Sequence, residues 1–366
     1  MKDQLLEALL FFLERPSVIG EEERLCDDLA ARIATSPGWE VERVSNNLAV
    51  RRREPDPSRR RVVLAGHLDT VPEPEGGIEV RVEGERVYGR GASDMKAGDA
   101  VMLALLEGFA WEEGRFEPIF VFYEREEGPY AENGLETVFA ACPWVLDAEL
   151  ALVPEPTSGA LEVGCVGTAQ VEVLFRGRSA HAARPWQGEN ALTKAGGFLT
   201  ALHERPANEV VVDGLSFYEV LTPTTARGGR ANNVVPDSFR INVNHRFAPG
   251  KDLEDVEHLF EELIDGNASY EVVDFAPSGP VRLENSLLQE LIRTGLEVRP
   301  KQAWTDVARF SGRGVAAANF GPGLPSQAHQ ETEYAELPLL DECHAHLVSF
   351  FRHNYGAGVA GRGSAN

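Results

Sequence analysis

Apolar residues at a spacing of four, Leu25, Leu29 and Ile33, mark one face of a helix that begins after Gly20. An earlier helix is predicted over residues 4–14. The run Val62-Val63-Leu64-Ala65-Gly66 is then apolar throughout and ends in His67. The runs Ile119-Phe120-Val121-Phe122-Tyr123 and Leu150-Ala151-Leu152-Val153 repeat the pattern. Strands buried on both faces of a parallel sheet read in this way. A strongly helical stretch, residues 97–111, lies between the first two, and strands alternating with helices predict an α/β sheet.

After about Gly167 the period changes. Residues 170–175 alternate polar and apolar, as a strand buried on one side does. A helix over 190–204 follows, then strands over 210–220 and 238–247 around a Gly- and Asn-rich turn at 228–233, a helix over 253–265 and a strand over 270–275. The order β-α-β-β-α-β is that of a ferredoxin-like fold. From about Asn285 the first pattern resumes, with a helix to Gly295, a strand over 315–320 and a last helix over 339–353. The expectation is an α/β protein: a mixed, mostly parallel sheet with helices on both faces, plus an inserted ferredoxin-like α+β domain. The first would be built from residues 1–169 and 281–355, the second from 170–280. The Gly-, Ala- and Ser-rich tail, 356–366, is predicted to be disordered.

The chain has 366 residues, 43% hydrophobic and 25% charged, enough to bury sizeable cores. No apolar run approaches the ~18 residues of a membrane span. The N-terminus reads straight into an amphipathic helix rather than a secretion signal, so the cytoplasm is expected. A formal charge of −23 argues against nucleic-acid binding, which is driven by Lys and Arg. The one basic cluster, Arg51-Arg52-Arg53 with Arg59-Arg60-Arg61, flanks Pro55 and Pro57 and reads as a solvated hairpin or loop. Cys26, Cys142, Cys165 and Cys343 form no CxxC pair and read as buried apolar residues.

Three buried strands end in residues that can ligate metals. His67-Leu68-Asp69 follows the first, Glu124-Arg125-Glu126-Glu127-Gly128 the second and Pro154-Glu155-Pro156 the third. Ligands of open α/β sheets bind beyond the carboxyl ends of the strands, so these tips can converge. Asp94 sits in the turn Gly89-Arg90-Gly91-Ala92-Ser93-Asp94-Met95-Lys96, and His329 follows Phe320-Gly321-Pro322-Gly323. Singly, each has an ordinary reading: a capped turn, a solvated loop end, a glycine turn before a helix. Jointly, five carboxylates at one sheet mouth repel one another unless cations lie between them. Two imidazoles with carboxylates suit zinc, with manganese or cobalt as substitutes.

The succession His67-x-Asp69-Thr70-Val71-Pro72, Gly89-Arg90-Gly91 to Asp94-Met95-Lys96, Glu126-Glu127-Gly128, Glu155-Pro156-Thr157 and a late His329 resembles the aminoacylase and glutamate-carboxypeptidase group of co-catalytic zinc hydrolases. The likeness spans nearly the whole chain, including the inserted lid. Within the group it is greatest to succinyl-diaminopimelate desuccinylases of actinobacterial type. The stretches Gly164-Cys165-Val166-Gly167-Thr168, Ala231-Asn232-Asn233-Val234-Val235-Pro236 and Trp304-Thr305-Asp306-Val307-Ala308-Arg309-Phe310 carry that likeness.

The resemblance implies two divalent metals, one held by His67, Asp94 and Glu155, the other by Asp94, Glu127 and His329, with Asp94 bridging. It implies that Asp69 hydrogen-bonds the far nitrogen of His67, that Glu126 is the general base and that His181 donates to the oxyanion. Substrate contacts would come from Arg246, Asn232 and Asn233, with Arg184, Arg230, Arg309 and Gly321 as further candidates. The implied reaction is hydrolysis of N-succinyl-LL-2,6-diaminopimelate, which serves lysine and diaminopimelate synthesis, by a homodimer paired through its lids. Proteobacterial desuccinylases carry an arginine in the loop matching Gly164-Cys165-Val166-Gly167, and this chain has none. The alternatives are therefore a sibling deacylase acting on acetylornithine or another N-acyl amino acid, a dipeptidase, or a non-catalytic binding protein of the same fold.

Overall fold

The structure is a computed structural model, and it describes residues 2–353. The predicted disorder of 356–366 lies outside the described residues. The chain divides into two compact units. The first comprises the residues up to Gly164, Arg282–Arg299 and those from Thr305 on; the second is Cys165–Val281 with Pro300–Trp304. The border falls earlier than the alternation suggested, and a short returning segment, 300–304, goes with the second unit.

The first unit holds an eight-stranded sheet in the order Trp39–Val44, Asn47–Arg52, Phe116–Tyr123, Arg60–His67, Leu150–Val153, Ala316–Asn319, Leu161–Val163, Val298–Pro300. Its centre is parallel: Arg60–His67 pairs in parallel with Phe116–Tyr123 and Leu150–Val153, and Ala316–Asn319 joins the latter the same way. The all-apolar runs are these central strands, and all of Phe116–Tyr123 is buried. Its antiparallel margins include the hairpin of Trp39–Val44 and Asn47–Arg52, which the hydrophobic pattern did not announce. Helices Lys2–Leu13, Glu23–Ala34, Ala97–Gly108 and Leu337–Arg352 bury apolar faces, Leu25, Leu29 and Ile33 among them. The basic cluster is ion-paired: Arg51 meets Glu40, Arg52 meets Glu112, Arg60 meets Glu149 and Arg61 meets Asp147. Among the described residues no helix is long and apolar enough to cross a membrane.

The second unit is a five-stranded antiparallel sheet in the order Asn208–Val212, Leu215–Gly228, Ser238–Phe247, Gly167–Arg176, Ser269–Ala276. Its two-residue period has a clear consequence. Ala169, Val171, Val173 and Phe175 pack with Ile241, Val243 and Phe247 under Phe198, Leu202, Val256 and Phe260, while Arg246 and Asn244 occupy positions of the opposite face. The single strand expected over 210–220 is two strands. Asp213 and Gly214 both take positive φ, 50° and 83°, and turn the chain into a hairpin. The helix expected over 190–204 is likewise two, Ala191–Lys194 and Gly196–Glu204, parted where Gly196-Gly197 weakens helical propensity.

Candidate metal centre and active site

Neighbouring parallel strands place His67 in register with Tyr123, so the chain leaves the sheet at one edge carrying His67-Leu68-Asp69 and Glu124–Glu127 side by side. Two devices hold the second loop. Glu124 and Asn47 bond reciprocally, Glu124 N to Asn47 Oδ1 at 2.9 Å and Asn47 Nδ2 to Glu124 Oε1 at 2.9 Å. The Asp69 carboxylate then accepts from the backbone N–H groups of Glu126, 3.0 Å, and Glu127, 2.9 Å. Asp94 arrives from the turn before helix Ala97–Gly108, and His329 from a loop where its own φ is 62°.

The ligand atoms of His67, Asp94 and Glu155 lie within 4.8 Å of one another, and so do those of Asp94, Glu127 and His329. Asp94 belongs to both sets. A third grouping, His67 with Glu126 and Glu127, puts Glu126 beside the same centre. His67 Nε2 is 3.3 Å from Asp94 Oδ1, and His329 Nε2 is 3.0 Å from Glu127 Oε1 and 3.5 Å from Asp94 Oδ2. Imidazole nitrogens and carboxylate oxygens converging in two groups of three around a shared carboxylate fit a pair of divalent ions.

The electrostatics agree. Burial works against a charged His67, but the hydrogen bond to Asp94 and the charges of Asp69, Glu126 and Glu155 raise its pKa well above the ordinary value. His329 is raised by its hydrogen bond to Glu127 against a smaller opposing effect of burial. Burial lifts Glu126 well above the usual carboxylate range. His67 opposes that rise, and Glu155, Asp306 and Glu127 add to it. Without cations the raised proton affinities of His67, His329 and Glu126 set protons where ions would otherwise lie.

The model of peptidase family M20/M25/M40 matches residues 63–353. The chain belongs to that family. A Corynebacterium glutamicum protein named succinyl-diaminopimelate desuccinylase is 39% identical over 344 residues, 92% of this chain and 92% of its own. A Mycobacterium tuberculosis protein designated DapE is 37% identical over 331 residues, 90% of this chain and 92% of its own. The crystal structure of the aminopeptidase PepT from Bacillus cereus superposes with a TM-score of 0.78 at 18% identity, covering 96% of this chain and 98% of that one. That likeness is one of fold.

In this M20-family chain, three of the expected site residues make contacts that bear on the roles implied for them. Asp69 does not hydrogen-bond His67 through its carboxylate, whose nearest approach to Nδ1 is 3.6 Å. The Asp69 backbone carbonyl accepts the Nδ1 proton instead, at 3.0 Å, and the carboxylate is used on the Glu126-Glu127 backbone. Arg309 is not available to a substrate. It is buried, paired with Asp306 at 2.7 Å and Glu136 at 2.8 Å, and stacked on Tyr130. Gly321 is also spent inside the protein. Its N–H donates to Thr157 Oγ1 and its carbonyl accepts from Thr157 Oγ1 and Gly159 N–H.

The second unit brings its own candidates together. His181 bridges to Val234, and Ala182 N–H donates to the Asn233 carbonyl, so the His181 loop and the Asn232-Asn233 turn form one piece. His181 Nδ1 accepts from Ala183 N–H at 3.1 Å, which leaves the proton of the neutral ring on Nε2. Arg246 is partly buried, and Asn244 Oδ1 accepts from its Nε at 3.0 Å. Arg184 is exposed, and Arg230 is held by Asp237 and Ser179. Reading the sequence missed Asn47 and Asp306. Asp306 accepts from Tyr123 Oη at 2.7 Å and Asn133 Nδ2 at 3.1 Å, bracing the loop that carries Glu126. Its Thr-Asp-x-x-Arg setting was visible, but nothing in that spacing pointed to Tyr123.

Proposed function

We propose that this chain hydrolyses the amide bond of N-succinyl-LL-2,6-diaminopimelate to succinate and LL-diaminopimelate, with two divalent ions, zinc first among them. The carrying observation is the convergence of two three-residue ligand sets on Asp94 with Glu126 beside them. Relatives 37–39% identical over nine-tenths of the chain, both with that reaction in their names, support the substrate. Bound between those residues, the ions would supply Lewis acidity and lower the pKa of water.

The chain's own residues do the rest. Glu126, beside both ligand sets, takes a proton from the attacking water and hands it to the departing amide nitrogen. His181 offers Nε2–H to the developing oxyanion. Arg246 meets a substrate carboxylate, with Asn232 and Asn233 as further polar contacts. Two copies pair through their second units, where Val211 and Tyr218 stand exposed on the edge hairpin. The site of action is the cytoplasm, where the four free, buried cysteines stay reduced.

The test is hydrolysis of N-succinyl-diaminopimelate by chelator-stripped protein with and without added zinc, beside acetylornithine and a dipeptide. Zinc-dependent turnover of the succinyl substrate alone is expected. Faster turnover of acetylornithine or the dipeptide would replace the substrate, and turnover indifferent to complete stripping would end the metal reading. Glu126→Gln should keep metal content and lose about 10²–10⁴ in kcat.

A further inference from the structure

Four residues beyond His329, Glu333 turns inward and is almost wholly buried, its side chain 1% exposed. Its carboxylate accepts four hydrogen bonds, and all four come from the turn that delivers Asp94. Oε1 takes the backbone N–H groups of Ser93, 2.9 Å, and Asp94, 3.0 Å. Oε2 takes Gly91 N–H at 2.9 Å and Arg90 Nη1 at 3.0 Å. The attachment continues on both sides. Arg90 Nη1 also reaches the Gln330 carbonyl at 3.1 Å, Ser93 Oγ donates to the Tyr334 carbonyl at 2.7 Å, and Tyr334 pairs with Tyr88 as a short strand.

The ligand most in need of such support is His329. Its side chain is 52% exposed and its backbone is left-handed, a conformation few side chains adopt. Its ring touches Glu127 and Asp94, which are themselves ligand candidates.

We infer that Glu333 is a positioning residue for the metal centre: its carboxylate locks the Asp94 turn to the segment that carries His329, so that two ligands from distant parts of the chain move as one. The inference rests on the two-metal reading above. A carboxylate ringed by backbone N–H groups forms charge-assisted bonds that a neutral amide cannot replace in full. In Glu333→Gln one oxygen remains to accept, and the new N–H₂ faces a backbone N–H or the Arg90 guanidinium. The Asp94 turn and the His329 loop then lose the charged part of their shared attachment, while Arg90 to the Gln330 carbonyl and Ser93 Oγ to the Tyr334 carbonyl remain.

A buttress that only stabilised the fold would lower the melting temperature and leave ion affinity alone. Full-length parent, Glu333→Gln and Arg90→Met proteins are therefore stripped with chelator and titrated with zinc against a competing chelator, with thermal unfolding recorded before and after loading. The parent is expected to bind two ions. Glu333→Gln should bind them roughly 10- to 100-fold more weakly, the scale of losing a residue that orients ligands. Its turnover should return at saturating zinc with KM unchanged. Arg90→Met removes one of the four donors and introduces no opposing one, so a smaller loss in the same direction is expected; it decides the matter if Glu333→Gln does not fold. A folded variant that binds both ions within twofold of the parent overturns the inference alone. A parent that takes up no divalent ion overturns the metal reading and this inference with it.

Discussion

Replacing Asp69 by asparagine separates two accounts of that residue. If its carboxylate acted on His67, the substitution would disturb the ring. In the structure the carboxylate holds the backbone of Glu126 and Glu127, at 3.0 and 2.9 Å, while the Asp69 carbonyl holds His67 Nδ1 at 3.0 Å. Asparagine keeps the carbonyl, so the His67 tautomer should survive. It removes one of the two side-chain acceptors and turns an amide N–H₂ towards a backbone N–H. A hydrogen bond to a charged group contributes about 1.5–3 kcal/mol net. At about 1.36 kcal/mol per decade, losing one costs about 10- to 150-fold in whatever depends on the placement of Glu126 and Glu127. The loss should divide between ion affinity, through Glu127, and kcat, through Glu126. The assay measures kcat and KM on N-succinyl-diaminopimelate from stoichiometric to excess zinc, with His67 ring shifts followed by NMR. We expect kcat to stay about tenfold or more below parent at saturating zinc, with KM little changed and the His67 tautomer intact. Parental kcat once zinc is saturating, or a switched tautomer, would refute the reasoning.

Three further outcomes are expected. His67 and His329 have folded-state pKa values raised above the ordinary value of about 6.5, so their contribution to metal-free stability is complete below that pH and is lost as pH rises through the raised values. Raised Glu126 adds a loss of the same sign. The gain in melting temperature on adding zinc should therefore grow from pH 6 to pH 8.5, with protons released on binding; a gain that shrinks over that range contradicts the proton balance. At Gly321 an added Cβ would lie 2.2 Å from the Pro154 carbonyl oxygen and 2.4 Å from that of Glu155. Gly321→Ala should thus cost about 1–3 kcal/mol of stability and weaken zinc binding by displacing Glu155, as denaturant unfolding and titration would show. His181→Ala should lower kcat by about 10²–10³, the scale of one oxyanion donor, without changing zinc content; a loss of less than a few-fold would remove His181 from the reaction.

The sequence by itself determined the central strands and the chemical inventory. Val62–Leu64, Ile119–Tyr123 and Leu150–Val153 are apolar at every position because both faces of a central parallel strand are covered. Ala169, Val171, Val173 and Phe175 alternate because one face of the second sheet is not. The acids and imidazoles at the ends of those runs stood out because such groups are costly to gather without a cation.

Tertiary structure alone decided what each of those groups touches. Asn47 lies 77 residues from Glu124, Asp306 183 from Tyr123 and Glu333 239 from Asp94. No local spacing encodes those hydrogen bonds. Arg309 and Arg246 are the same residue type in the sequence, yet one is buried against Asp306 and Glu136 while the other lies, partly buried, on the face of its strand opposite the second unit's core. The side of Asp69 that meets His67 is likewise a matter of where the neighbouring loop brings its N–H groups. Hydrophobic period is a local property of the chain, whereas hydrogen-bond partnership is settled only when distant segments arrive together.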